Sequence, residues 1–132
     1  AKFGIPEVKR GLAAAAGGLV RLPRQLPYRV AMEMALTGDF FSAQRGHELG
    51  LVNRITDGVA LDTALELAAT IAANGPLAVA RSKQVIVESR LWSEEEQWKK
   101  QFAIVGPVFT SEDAREGAAA FAEKRAPNWK GK

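Results

Sequence analysis

The sequence lacks cysteine entirely and has a single histidine, His47, among its 132 residues. Without a thiol, the chain can form no disulfide, no thiolate zinc site and no cysteine nucleophile. One imidazole leaves almost no material for a multi-histidine metal site or a Ser-His-Asp triad. We therefore expect no metal in this chain and a surface position for His47. A sequence without cysteine also suits the cytoplasm.

The sequence also has no long apolar run and only a small excess of basic over acidic residues. The longest apolar runs, such as Leu12 to Ala16, are far too short to cross a bilayer. The 18 basic residues are scattered among 15 acidic ones, and no basic stripe interleaves with aromatics. We expect neither membrane insertion nor nucleic-acid binding. The net charge of +3 fits either a solvated surface or attraction for an anionic ligand with phosphates.

Helical periodicity dominates what is present. Apolar spacing, capping residues and Gly or Pro boundaries predict helices near 19–26, 27–37, 43–49, 60–74, 76–91, 94–109 and 112–124. Residues 1–5 and 51–55 read as short strands, with Asp57-Gly58 closing the second. Two strands make no stable sheet alone, so the first is expected to join a larger sheet preceding Ala1. The tail, 126–132, reads as irregular.

The helix near 94–109 carries a strong apolar stripe. Trp98, Phe102, Val105 and Phe109 recur at helical spacing, which is typical of packing, and Phe102 and Phe109 are expected in the core. Gly106-Pro107 predicts a kink or a break.

Glu7 is the carboxylate best placed for acid/base chemistry. It follows Pro6 at the end of the first predicted strand, beside the small-residue stretch 11–18 that ends in Gly17-Gly18. A carboxylate there could transfer protons. Pro followed by Glu is also a common way to open a helix, where the dipole favours the acid. Spacing alone leaves both interpretations open.

Short motifs run along the whole chain in a fixed order. They read Phe3-Gly4-Ile5-Pro6-Glu7, Gly11-Leu12, Gly17-Gly18, Arg21-Leu22, residues 31–38, Ser42-Ala43, residues 50–53, Glu112-Asp113, Glu116-Gly117, Ala120-Phe121 and Glu123-Lys124-Arg125. Any one is weak, but in this order the set resembles the enoyl-CoA hydratase/isomerase (crotonase) superfamily. The ending resembles bacterial hydratases that include the carnitinyl-CoA dehydratase group.

The resemblance implies an α/β crotonase fold, a ββα superhelix, of which this chain would be the helix-rich C-terminal half. Residues 1–58 would be the end of the core, with the catalytic loop and short helices. Residues 59–132 would be a helical region for oligomerisation and for covering CoA. The N-terminal half would supply the oxyanion hole, the first glutamate and most of the CoA-binding surface.

The resemblance also implies site residues. Glu7 matches the glutamate that delivers a proton to C2 when water adds to a 2-enoyl-CoA, giving a 3-hydroxyacyl-CoA. Lys124 matches a lysine that reaches the adenine and phosphate end of CoA, often across a subunit boundary; the other reading is a surface lysine that complements a helix dipole. Ala14 and Ala15 stand where the family often has Pro-Gly, which puts the shape of the pocket in doubt.

The implied partners are an acyl-CoA thioester, the protein's own N-terminal half and further copies in a trimer or hexamer, with no cofactor beyond the coenzyme A of the substrate. Two other functions stay open. One is an isomerase or another enolate-stabilising reaction, for which a single glutamate can suffice. The other is a non-catalytic CoA-binding or assembly remnant, because the chain by itself would lack an oxyanion hole.

Overall fold

Two short strands, β1 (Lys2–Phe3) and β2 (Phe41–Ser42), pair antiparallel in the computed structural model, which describes all 132 residues. Their register sets Phe3 opposite Phe41, and the two ring centroids lie 6.3 Å apart. The strand predicted within residues 1–5 is confirmed in its middle. The pairing partner, β2, has no counterpart among the predicted strands.

The strand predicted over 51–55 is wrong. That segment bends instead, because the amide of Leu51 donates to the carbonyl of Gly46 at 2.8 Å and no neighbouring strand pairs with it. Leu51 of this segment packs against the core of the first unit.

The first of two compact units, Ala1–Thr63, holds three helices and two 3₁₀ turns. These are the turn Pro6–Arg10, α1 (Gly18–Arg21), the turn Leu22–Arg24, α2 (Tyr28–Thr37) and α3 (Ala43–Glu48). Gly38 ends α2 at a φ of 66°, a left-handed conformation that glycine adopts without strain. Ser42 caps α3 by accepting a hydrogen bond from the Arg45 amide at 3.1 Å, as predicted.

The core of this unit lies under α2. Leu26, Ala31 and Met34 are buried. The partly buried side chains that pack on them come from both strands, from the segment between β1 and α2, from α2 itself and from the residues that follow α3: Phe3, Ile5, Leu22, Val30, Phe41, Leu49 and Leu51. The helix predicted near 27–37 is therefore confirmed, with Ala31 and Met34 on its buried face. Exposed His47 lies on α3, as expected.

The second unit, Ala64–Lys132, is helical. Its elements are most of α4 (Ala60–Ala72), α5 (Pro76–Glu88) with the 3₁₀ turn Ser89–Leu91, α6 (Gln97–Phe109) and α7 (Glu112–Glu123). Helix α6 packs against both α5 and α7. In the turn before α6, Ser93 Oγ accepts from the Glu96 amide at 3.3 Å and donates to the Glu96 carboxylate at 3.1 Å. Ser111 caps α7, since its Oγ accepts the Ala114 amide at 3.0 Å.

Helix α6 departs from two expectations. It does not break at Gly106-Pro107, since Pro107 lies inside a helix that runs without interruption to Phe109, while the kink given as the other possibility stays a prediction. The apolar stripe is not core within this chain: Trp98, Phe102 and Phe109 keep 70%, 69% and 72% of their surface exposed. Periodicity showed that these residues share one face, but it carried no information about what covers that face.

No helix of the chain is both long and apolar enough to cross a bilayer by itself. The functional division into 1–58 and 59–132 stays a prediction.

Candidate functional site

Glu7 lies in the 3₁₀ turn Pro6–Arg10 that follows β1. The turn opens at Pro6, whose missing amide costs nothing at a helix start. It closes at Gly11, which has a φ of 69° and donates to the carbonyl of Val8 at 3.2 Å. The Glu7 carbonyl accepts the Leu12 amide at 3.0 Å, so hydrogen bonds fix the main chain at Glu7 and just after it.

The carboxylate of Glu7 is the unusual feature of this turn. Its side chain is partly buried, and its Oε2 atom is buried without a hydrogen-bond partner in the chain. Buried polar atoms in folded proteins almost always have a partner, and one that does not needs an explanation. An oxygen held in place without a donor is available to a ligand for hydrogen bonding or proton transfer.

Lys9 ties the turn to the segment that follows α2. Its Nζ atom lies 2.5 Å from Oδ1 of Asp39, with both side chains at least half exposed. A Cβ added to Gly38 would lie 3.1 Å from Cγ of Lys9 and from a methyl of Val8, so a larger residue would push the turn away. Lys9 therefore pairs with an acid of its own chain.

The loop after Glu7 carries the departure from the family pattern, and it shows no strain. Ala14 is buried, and neither Ala14 nor Ala15 has a positive φ. Gly17, with a φ of 100°, takes the one left-handed position at the start of α1. An added Cβ at Gly18 would be 3.5 Å from Ile5 Cγ2, which is ordinary contact. Alanine therefore fits the backbone at both positions.

Lys124 lies in the second unit, at the end of α7. It is the one non-glycine residue with a positive φ, 54°, a conformation that L-residues adopt rarely. The amides of Lys124 and Arg125 donate to the carbonyls of Phe121 and Ala120, at 3.3 and 3.0 Å, and so close the helix end. The Lys124 side chain is exposed and belongs to none of the ion pairs.

Glu116 is a residue whose role the sequence did not reveal. Its carboxylate accepts two hydrogen bonds from the Arg125 guanidinium, at 2.6 and 3.1 Å, and one from the Asn128 amide at 2.7 Å. The Arg125 guanidinium, followed by the Asn128 amide, lowers the pKa of Glu116 to about 2. The same pairing, with a second bond to Glu123, raises the pKa of Arg125.

Asp113 and Trp129 hold the rest of the tail. Buried Asp113 accepts the amides of Lys130 and Gly131, at 2.7 and 2.9 Å. The Trp129 indole N–H donates to the Ala73 carbonyl at 2.8 Å. We call the set Asp113, Glu116, Arg125 and Trp129 the tail latch. The tail is irregular, as predicted, but it is anchored. The sequence contained a signal for this anchoring: Asp113 and Glu116 lie three residues apart on one helix, and that helix ends shortly before Trp129 and Gly131.

Comparisons with known proteins agree along the whole chain. A family model described as enoyl-CoA hydratase/isomerase matches residues 1–132. An enoyl-CoA hydratase of Mycobacterium tuberculosis is 48% identical over 130 residues, covering 98% of this chain and 49% of that protein. The carnitinyl-CoA dehydratase of Proteus mirabilis is 42% identical over 137 residues, covering 100% of this chain and 52% of that protein.

Solved structures give the same picture. A crystal structure of an enoyl-CoA hydratase from Mycobacterium marinum has a TM-score of 0.94 and 59% identity, covering all of this chain and 53% of that one. A probable enoyl-CoA hydratase/isomerase from Mycobacterium abscessus has a TM-score of 0.89 and 65% identity, with the same coverage. The chain spans about half the length of the relatives it matches.

Proposed function

The chain belongs to the enoyl-CoA hydratase/isomerase family, and from that premise we propose that Glu7 is a proton-transfer group of an acyl-CoA hydratase or dehydratase. The predicted crotonase fold class is confirmed, and the chain as observed is 62% helical. The similarity to a carnitinyl-CoA dehydratase supports a reaction that adds or removes water.

The observation that carries the proposal is the buried, unpartnered Oε2 of Glu7. In the hydration direction a protonated Glu7 gives its proton to C2 of the 2-enoyl-CoA while water adds at C3. In dehydration the carboxylate takes that proton back as hydroxide leaves C3. The fixed main chain of the turn keeps the carboxylate oriented for both directions.

The remaining groups of this reaction come, in our proposal, from an N-terminal half. They are the two backbone amides that bind the thioester oxygen, the glutamate that activates water and most of the CoA-binding surface. Lys124 contacts the phosphates of the acyl-CoA, and the helices of the second unit build a trimer or hexamer. On this proposal residues 1–132 alone are inactive.

A second reaction, double-bond isomerisation, is supported by a specific observation. Glu7 is the one residue of the chain whose buried side-chain oxygen has no partner, and an isomerase can move a proton with a single glutamate. The third candidate, a non-catalytic CoA-binding or assembly remnant, is supported by the exposed apolar face of α6.

The test is hydration of a short 2-enoyl-CoA by the full-length protein that contains this sequence, followed by loss of the conjugated double bond. We expect Glu7→Gln to lower kcat by ~10²-fold or more, because a general acid/base is lost while the shape is kept. Glu33→Gln is the matched control, since exposed Glu33 in the same unit makes no ion pair. A Glu7→Gln rate within about threefold of wild type, against this ~10²-fold loss, would refute the assignment.

The same preparations distinguish the alternatives. Conversion of a 3-enoyl-CoA to the 2-enoyl isomer without hydration would favour the isomerase. Absence of both reactions in the wild-type full-length protein, with CoA still bound, would favour the remnant.

A further inference from the structure

Lys124 adopts a left-handed backbone conformation, which is unfavourable for a lysine. A lysine in the left-handed region is strained, and such a residue persists only where its surroundings hold it. Glycine would occupy this position at the end of a helix without strain. The residues that hold this backbone conformation therefore determine where the Lys124 ammonium lies, and so affect any ligand contact that it makes.

Both chain neighbours of Lys124 are tied down. Arg125 Nε donates to Glu123 Oε2 at 2.6 Å, directly across Lys124. The other end of the Arg125 guanidinium reaches back over α7 and forms the two-bond contact with Glu116. Because a guanidinium and a carboxylate are both planar, two parallel bonds fix orientation as well as distance.

Glu116 also fixes the chain beyond Lys124. The same Oε1 atom that accepts from Arg125 accepts the Asn128 amide at 2.7 Å. One carboxylate thus clamps the chain at 125 and at 128, on the C-terminal side of the strained residue. Its side chain is 24% exposed against 40% for Arg125, so the carboxylate is partly shielded from water. The Lys124 ammonium has no partner in the chain and is left free for a ligand.

We propose that Glu116, acting through Arg125, is a positioning residue that presents the Lys124 ammonium to the phosphates of an acyl-CoA. This inference rests on the proposed function of Lys124. Glu116 itself touches no ligand. It holds residues 124–128 in place before the ligand arrives, so that binding does not have to supply the entropy cost of ordering the lysine backbone.

The test compares two probes on the full-length protein by calorimetry: coenzyme A, and pantetheine, which lacks every phosphate. We expect Lys124→Met to weaken coenzyme A binding roughly tenfold, as for one lost charge-assisted contact, and Glu116→Gln to weaken it about three- to fivefold. The double variant is expected to bind no more weakly than Lys124→Met alone, because Glu116 acts only through Lys124. Pantetheine binding should not change in any variant.

Each other outcome overturns a stated part. If Lys124→Met leaves coenzyme A binding unchanged, the phosphate contact is wrong and the positioning role goes with it. If Lys124→Met weakens binding and Glu116→Gln does not, only the positioning role is wrong. Equal weakening of pantetheine, or additive effects in the double variant, would show that Glu116 merely supports the fold. If Glu116→Gln does not fold, Arg125→Met takes its place, because it leaves intact the hydrogen bond from the Asn128 amide to Glu116. Glu112→Gln is the matched control.

Discussion

Asp113→Asn is the sharpest test of the tail latch. Asp113 is 5% exposed and accepts two main-chain amides, from Lys130 and Gly131. Asparagine has the same shape but one acceptor oxygen, so its NH₂ group must face one of the two amide donors. At least one charge-assisted bond is lost and a buried donor is left unpaired. We expect the free energy of unfolding to fall by ~2–3 kcal/mol.

The control is Glu112→Gln, one residue earlier with the same change of charge. Glu112 is half exposed, and its contacts to Lys130 and Lys132 are long, at 3.7 and 3.8 Å. Exposed pairs of this kind are worth little, so the control should cost less than about 0.5 kcal/mol. Both variants are measured by urea unfolding followed by far-UV circular dichroism, with the slope of the transition as a check that the same surface unfolds.

A truncated background decides whether the amides are the cause. Ending the chain at Trp129 removes both donors and also the main-chain oxygen of Lys132, which accepts the Asp113 amide at 3.1 Å. In that background Asp113→Asn should cost less than ~1 kcal/mol, giving an interaction energy near 2 kcal/mol. If Asp113→Asn costs the same in both backgrounds, Asp113 acts through something other than the tail, and the latch as described is wrong.

Two further predictions concern the same unit. Gly117→Ala should destabilise the chain by about 1 kcal/mol although alanine favours helices, because its Cβ would lie 3.2 Å from the Trp129 ring; with Trp129→Ala the sign should reverse. A stabilising Gly117→Ala in the wild-type background would argue against a fixed ring. The lowered pKa of Glu116 means that its contribution to stability is complete above pH ~4.5 and is lost as the pH falls towards 2. Urea midpoints over that range should therefore depend less on pH in Glu116→Gln, and an unchanged dependence would contradict the pairing.

Helix starts could be read from the sequence because capping is local. Ser42, Ser93 and Ser111 each place a hydroxyl oxygen within hydrogen-bonding distance of the amide three residues on. The chemistry needs nothing beyond four consecutive residues, so the sequence contains all of it. The same holds for Gly38, which ends α2 where the pattern predicted.

Strand pairing and the burial of an apolar helix face could not be predicted from the sequence, because both depend on residues far away along the chain. Strand β2 exists only because β1 lies beside it, whereas no strand lies beside residues 51–55. Phe102 shares a face with Trp98 and Phe109, yet periodicity cannot say whether that face meets its own chain.

The candidate site divides in the same way. The position of Glu7, after the first strand and beside a glycine-containing loop, follows from local signals. The burial of its Oε2 depends on packing and could not be predicted. The role of Glu116 was hidden for another reason: one of its donors is a main-chain amide, which every residue except proline has.

The tail latch depends on the path of the main chain as much as on the side chains of Arg125 and Trp129. Three of its bonds come from the amides of Asn128, Lys130 and Gly131, so the side chains at 128 and 130 are free to change. Proline is excluded there, and the φ of 75° keeps glycine at 131. A tail with other residues than proline at 128 and 130 keeps all three of these main-chain bonds.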